Sequence, residues 1–185
     1  RDRSLARYFP RGAHRAKELR CAGEALDAAS SLFRTYFDDA THHLSLTALY
    51  EAADAFLEAE DELVNSLSKV RGPVPDDLED DAASERSLLL RFAERSLAEF
   101  KEAHSLLDVT GLTPKEIARY ANGLTLVAVV QSRQPLHEGP AKVKRSFGDA
   151  ERLHAALQGD VASLCKAEYQ KRRAFERCTI ISVSY

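Results

Sequence analysis

Apolar positions recur along most of this chain at alternating spacings of three and four residues. Leu19, Ala22, Leu26, Ala29, Phe33 and Tyr36 form a first stripe. Leu49, Ala53, Phe56, Glu60, Leu63, Leu67 and Val70 form a second, with one polar member. Leu90, Ala93, Leu97, Phe100, His104 and Leu107 form a third. Val143, Phe147, Ala150, His154, Leu157, Val161 and Leu164 form the last. Such spacing keeps one helix face turned toward a neighbour and favours shallow crossings. No strand-like alternation competes before the tail. The pattern predicts an all-α chain, an antiparallel helical bundle of four to five long helices with coiled-coil-like heptad seams.

The punctuation agrees. Gly72-Pro73 ends the second helix, because proline lacks the N–H and clashes with the preceding turn. Asp76, Asp77, Glu79, Asp80 and Asp81 read as an acidic loop over 73–84, with Ser84 capping the third helix. Thr113-Pro114-Lys115-Glu116 is a helix start: Thr113 caps, Pro114 suits the first helical position and Glu116 closes a capping box. A helix from about Pro114 to Gln131 follows, weakened at Gly123. The last helix runs from about Ala141 toward Cys178, with Gly148 and Gly159 as weak points. The tail 179–185 is β-branched and reads as a short strand, an extension or a partner-binding segment. The expected organisation is a basic arm over 1–13, one helical domain over 14–178, and that tail.

Between Gly23 and Gly72 there is neither Gly nor Pro. The first two helices could therefore be one rod from about His14 to Val70, some ~85 Å long at 1.5 Å per residue. The first stripe, continued past Tyr36, runs through Tyr50, whereas the second runs through Leu49. A break at Asp38-Asp39-Ala40-Thr41, with Thr41 as the next cap, absorbs this one-residue slip and is preferred.

Composition narrows the class without choosing a job. The 185 residues are 44% hydrophobic and 30% charged, with 8 Gly and 6 Pro, a balance that suits a helical core rather than disorder. A net charge of -3 gives no overall case for nucleic acid. Cys21, Cys165 and Cys178 are odd in number and at no metal-like spacing, which fits reduced thiols in a cytoplasmic or nuclear protein. The apolar run Leu124 to Val130 is too short to span a bilayer. The N-terminus has no apolar stretch, so no signal peptide is expected, and the absence of Met points to a fragment.

Candidate chemistry is sparse. Glu60, His104 and His154 are polar members of the stripes, and inward Glu and His can build helical metal sites. Their expected heights disagree and the Glu-x-x-His pairing is missing, so they read as hydrogen-bonded register residues. His42-His43 are adjacent, share no helix face, and read as turn residues. Cys21 and Cys165 fall on or beside apolar stripes and read as small core residues. No nucleophile elbow or phosphate-binding glycine loop is present. No metal, cofactor or small-molecule substrate is assigned, and an enzyme is disfavoured.

Charge is segregated. Arg7, Arg11, Arg15, Lys17 and Arg20 cluster near the start, and Lys171, Arg172, Arg173 and Arg177 near the end, around an acidic middle. Such ends can meet phosphates, lipid headgroups or an acidic partner, or dock on the acidic middle of the same chain or a second copy, and the plain alternative is solvated helix ends.

The stretch from Leu112 to Leu124, with Ala118 and the Gly123-Leu124 turn, resembles the first helix and turn of a helix-turn-helix. The recognition helix this implies, Leu124 to Gln131, lacks a polar face to reach base edges, which disfavours nucleic acid. The same stretch after a helical hairpin is similar to a middle-module subunit of the Mediator complex. The long stretch without breakers, with its basic ends, resembles BAR domains, which implies a membrane-surface module binding anionic lipid. The leading expectation is a non-enzymatic interaction or scaffold protein that assembles with partner helices or self-dimerises. Its expected contacts are Phe56, Leu63, Leu67, Leu90 and Leu97, on the reasoning that long apolar stripes need partner helices as cover.

Overall fold

The computed structural model describes residues 8–35, 39–70, 72–105, 113–133, 143, 145–150 and 152. Four helices are complete within them: α1 (Pro10–Thr35), α2 (Asp39–Leu67), α3 (Asp76–Ser105) and α4 (Pro114–Arg133). A further helical stretch covers 145–150, and no strand occurs among the described residues. The tail 179–185 and nearly all of the expected last helix lie outside them. The chain divides into two compact units, Arg1–Ser96 and Leu97–Tyr185, so the boundary falls within α3.

In the first unit, α1 and α2 pack along one another. Ser30 meets Ser45, and a Cβ added at Gly23 would lie 2.7 Å from the Phe56 ring. A Cβ at Gly12 would collide with Ser66. As position along α1 falls, the partner position on α2 rises, so the two helices are antiparallel. The break expected near residue 38 is therefore real: α1 ends at Thr35 and α2 begins at Asp39. Thr41 lies inside α2 rather than capping it.

The first helix also starts earlier than expected. Pro10 takes its first position, where a missing N–H costs nothing, and Ala13 N–H donates to the Phe9 carbonyl at 2.8 Å. The last four residues of the expected arm, 10–13, are thus helical. At the far end of α2 the last turns tighten, with Val70 N–H donating to the Leu67 carbonyl. Gly72 follows at φ 104°, a left-handed conformation that glycine adopts without a Cβ clash.

The acidic segment is not a loop. α3 begins at Asp76, two turns before Ser84. The Pro75 carbonyl accepts from the N–H groups of Leu78 and Glu79, at 3.0 Å each. Asp76, Asp77 and Glu79 then sit in the first turn, where carboxylates oppose the positive end of the helix dipole. Leu78 and Ala82 are buried and extend the apolar face toward Leu89 and Ala93. Acids that suggested a loop by composition are favourable here by position.

α3 returns along α2: Glu60 meets Arg86 and Phe56 meets Phe92. It runs parallel to α1, since Arg20 meets Glu85 and Asp27 meets Arg95 and Ser96. α2 packs against both neighbours and carries much of the core, with Leu49, Ala52, Ala53, Phe56, Leu57, Ala59 and Leu63 all buried.

The second unit is built around α4. Its start is a complete capping box: Thr113 N–H donates to Glu116 Oε2 at 2.6 Å, and Glu116 N–H donates to Thr113 Oγ1 at 3.4 Å. The helix continues through Gly123 without a turn. A Cβ at Gly123 would collide with the Phe100 ring, so this glycine lets a helix and an aromatic ring close together. The helix-turn-helix resemblance fails at this point, because its turn does not exist. Every described side chain of α4 from Glu116 onward is buried or half-buried, and the run from Ala121 to Val130 fills the unit's interior. Phe100 stacks at an angle on Tyr120, with 6.2 Å between centroids.

Candidate functional site

The residues expected to bind a partner are mostly spent on the chain's own packing. Phe56, Leu63, Leu90 and Leu97 are buried, and Leu67 is half-buried. Intramolecular neighbours cover these four positions of the second and third stripes.

Among the described residues, α1 leaves much of its surface uncovered. Its inward face runs through Gly12, Ala16, Leu19, Gly23, Leu26, Ser30 and Phe33, again at spacings of three and four. Only Ala16, Gly23 and Ser30 on this helix are fully buried. They are small and seven residues apart, which lets the α1 backbone approach α2 closely. The larger Leu19, Leu26 and Phe33 flank that line and stay half-buried. The expected stripe placed Ala22 and Ala29 inward. Instead Ala22 is exposed and Ala29 half-buried, because glycine and serine one position later fit the close approach.

The outward face of α1 changes character along its length. Arg11, His14, Arg15 and Lys17 are exposed at its start. Cys21, Ala22, Ala25, Ala28 and Leu32 are exposed further on. Cys21 is therefore a free surface thiol, not the core residue expected. Leu32 is 64% exposed, and Leu44, at the same end of the α1–α2 hairpin, is 49% exposed. Beside the basic end runs an open groove of about 530 Å³, lined by Pro10, Ala13, His14, Lys17, Cys21 and Leu63 among others.

Polar contacts pin all three helix pairs of the first unit. Between α1 and α2, the Ser30 and Ser45 hydroxyls are 3.1 Å apart, both buried. Between α2 and α3, Arg86 Nε donates to Glu60 Oε1 at 2.7 Å, and Glu60 is only 1% exposed. Between α1 and α3, Arg95 pairs with Asp27, and Ser96 Oγ donates to the same carboxylate at 3.2 Å. Two guanidinium groups lie over the Phe92 ring, Arg20 at 6.0 Å and Arg95 at 5.9 Å from its centroid. Burial alone would lower the Arg20 pKa. Its bonds to Glu24 at 2.9 Å and Glu85 at 2.8 Å outweigh that and hold it above the ordinary value.

The remaining predicted residues fall as follows. Arg20 of the basic set is committed to these ion pairs, while Arg11, Arg15 and Lys17 are exposed. Arg7, Lys171, Arg172, Arg173, Arg177, Cys165, Cys178 and His154 lie outside the described residues. His104 belongs to α3, but its side chain is outside the described set. His42 lies within α2 and is half-buried, so it is no turn residue. Among the described residues, no group of three or more His, Cys, Asp or Glu could hold a metal ion. No described helix is long and apolar enough to cross a membrane.

No family profile, curated protein or solved structure matches the chain.

Proposed function

We propose that this chain is a non-enzymatic interaction or scaffold protein, an antiparallel helical bundle with coiled-coil-like packing that assembles with partner helices or a second copy. The observation that carries this reading is the incomplete cover of α1. That helix buries only Ala16, Gly23 and Ser30, and it leaves Leu32 exposed and Leu19, Leu26 and Phe33 half-covered. A helix with apolar side chains left on its flanks gains by taking a neighbour. The antiparallel return of α2 along α1 supports the compact arrangement over a BAR-like rod. The exposed free thiol of Cys21 fits an intracellular setting.

Light scattering combined with binding of a hydrophobic dye tests the reading. The expected result is either a mass above that of one chain, or dye fluorescence that Leu32→Glu reduces. A monomer that binds no dye would remove the basis for an interaction role.

A further inference from the structure

We propose that the basic start of α1 docks on the acidic start of α3 in a second copy of this chain, forming a symmetric, salt-sensitive dimer. This rests on the interaction reading above and names its partner and its surface.

The parallel course of α1 and α3 places both helix starts at one end of the first unit. Arg20 and Glu85 pair first, and Asp27 with Arg95 and Ser96 follow in the same direction. Arg11, Arg15 and Lys17 precede that ladder on α1, all exposed. Asp76, Asp77, Glu79 and Asp80 precede it on α3, also all exposed. Within the chain, the cations and anions of α1 and α3 do pair further along, at Arg20–Glu85 and Asp27–Arg95. At the common end they do not: none of these seven side chains makes an ion pair with another described residue.

One end of the unit therefore carries two unspent patches of opposite sign. A two-fold axis matches such a surface to itself, since the basic patch of each copy meets the acidic patch of the other and both contacts form at once. Single exposed ion pairs are weak, so the contact depends on several acting together and is screened once the Debye length falls well below ~10 Å.

Sedimentation or light scattering of the full chain at about 0.02 M and about 0.5 M salt tests this. The expected result is an average mass rising toward two chains at low salt and returning to one at high salt. Arg11→Glu/Arg15→Glu/Lys17→Glu stays monomeric at low salt. That variant adds carboxylates near a helix start, so it keeps its fold, as circular dichroism would verify. Asp77→Lys/Asp80→Lys is likewise monomeric. Mixing the two variants restores a two-chain species, because each now supplies the patch the other lacks. A wild-type monomer at low salt overturns the proposal and leaves the apolar α1 face as the test of the broader reading. A dimer indifferent to salt and to both charge sets overturns the proposal while supporting that broader reading. A mixture that fails to pair also overturns it.

Discussion

α1 and α2 are neighbours in sequence, similar in length and packed along one another, yet they use their residues in opposite ways. α2 packs against both α1 and α3 with large side chains, so Leu49, Phe56, Leu57, Glu60 and Leu63 all vanish from the surface. α1 touches the same core with Ala16, Gly23 and Ser30. The difference is one of side-chain size: α2 fills space toward both neighbours with large residues, whereas α1 meets α2 by close backbone approach. Small residues supply that approach, and they leave the outer face of α1 available for something else.

The comparison breaks most sharply at Phe56. Phe56→Ala removes a buried ring from α2 and leaves a cavity, with an expected loss of about 3–5 kcal/mol in denaturant unfolding. Arg86→Ala comes next. It leaves the Glu60 carboxylate buried without its guanidinium, and because Arg86 is partly solvated the expected cost is about 2 kcal/mol, read from the same unfolding curves. Adding Glu60→Leu to that variant restores stability, because no unpaired charge then remains inside. An unchanged double variant would mean that Glu60 contributes by something other than charge.

Gly23→Ala probes α1. Alanine favours a helix over glycine by about 1 kcal/mol. The new Cβ would nonetheless press on Phe56, and overpacking of this kind costs about 1–3 kcal/mol. The expected outcome is net destabilisation in thermal unfolding, and stabilisation would mean that α1 can shift away freely. Ala22→Leu, one position earlier on the exposed face, is expected to change stability by less than about 0.5 kcal/mol. Outside this pair of helices, Tyr120 gives a smaller effect with a defined sign. Burial and then the charge of Asp149 raise its pKa above the usual phenol value. The neutral phenol is thus favoured in the fold. That contribution is complete below the ordinary phenol pKa of about 10 and is lost as pH rises through the raised value. Tyr120→Phe should flatten this alkaline decline in a pH series of melting temperatures.

The candidate surface was legible only in part. The charges of Arg11, Arg15 and Lys17 stand out in the sequence, and they are exposed as a solvated cluster should be. Their meeting with the acids of α3 at one end was hidden. That depends on α1 and α3 running parallel, a relation between residues such as Arg20 and Glu85, 65 positions apart. The cover of the apolar stripes was hidden for a related reason. A stripe such as Phe56, Leu63 and Leu97 reads alike whether its cover comes from this chain or another. The exposed Leu32 had one available signal, the heptad run of Ala16, Gly23 and Ser30, which turns the α1 face by one residue.

What the sequence determined by itself is local. The capping box of Thr113 and Glu116 forms among four consecutive residues. The inward face of α2 repeats often enough that only one orientation buries it. The breakers at Gly72 and Pro73 end a helix whatever lies beyond. What only the tertiary structure decided is which equally helical choices became structure. The alanine-rich α1 could bury Ala22 or Gly23, and the approach of the Phe56 ring selected Gly23. The acids from Asp76 to Asp81 could be loop or helix start, and burial of Leu78 and Ala82 made them helix. Gly123 could be a turn or a contact, and the Phe100 ring made it a contact. In each case the deciding atom comes from another helix, where no periodicity within one segment can report it.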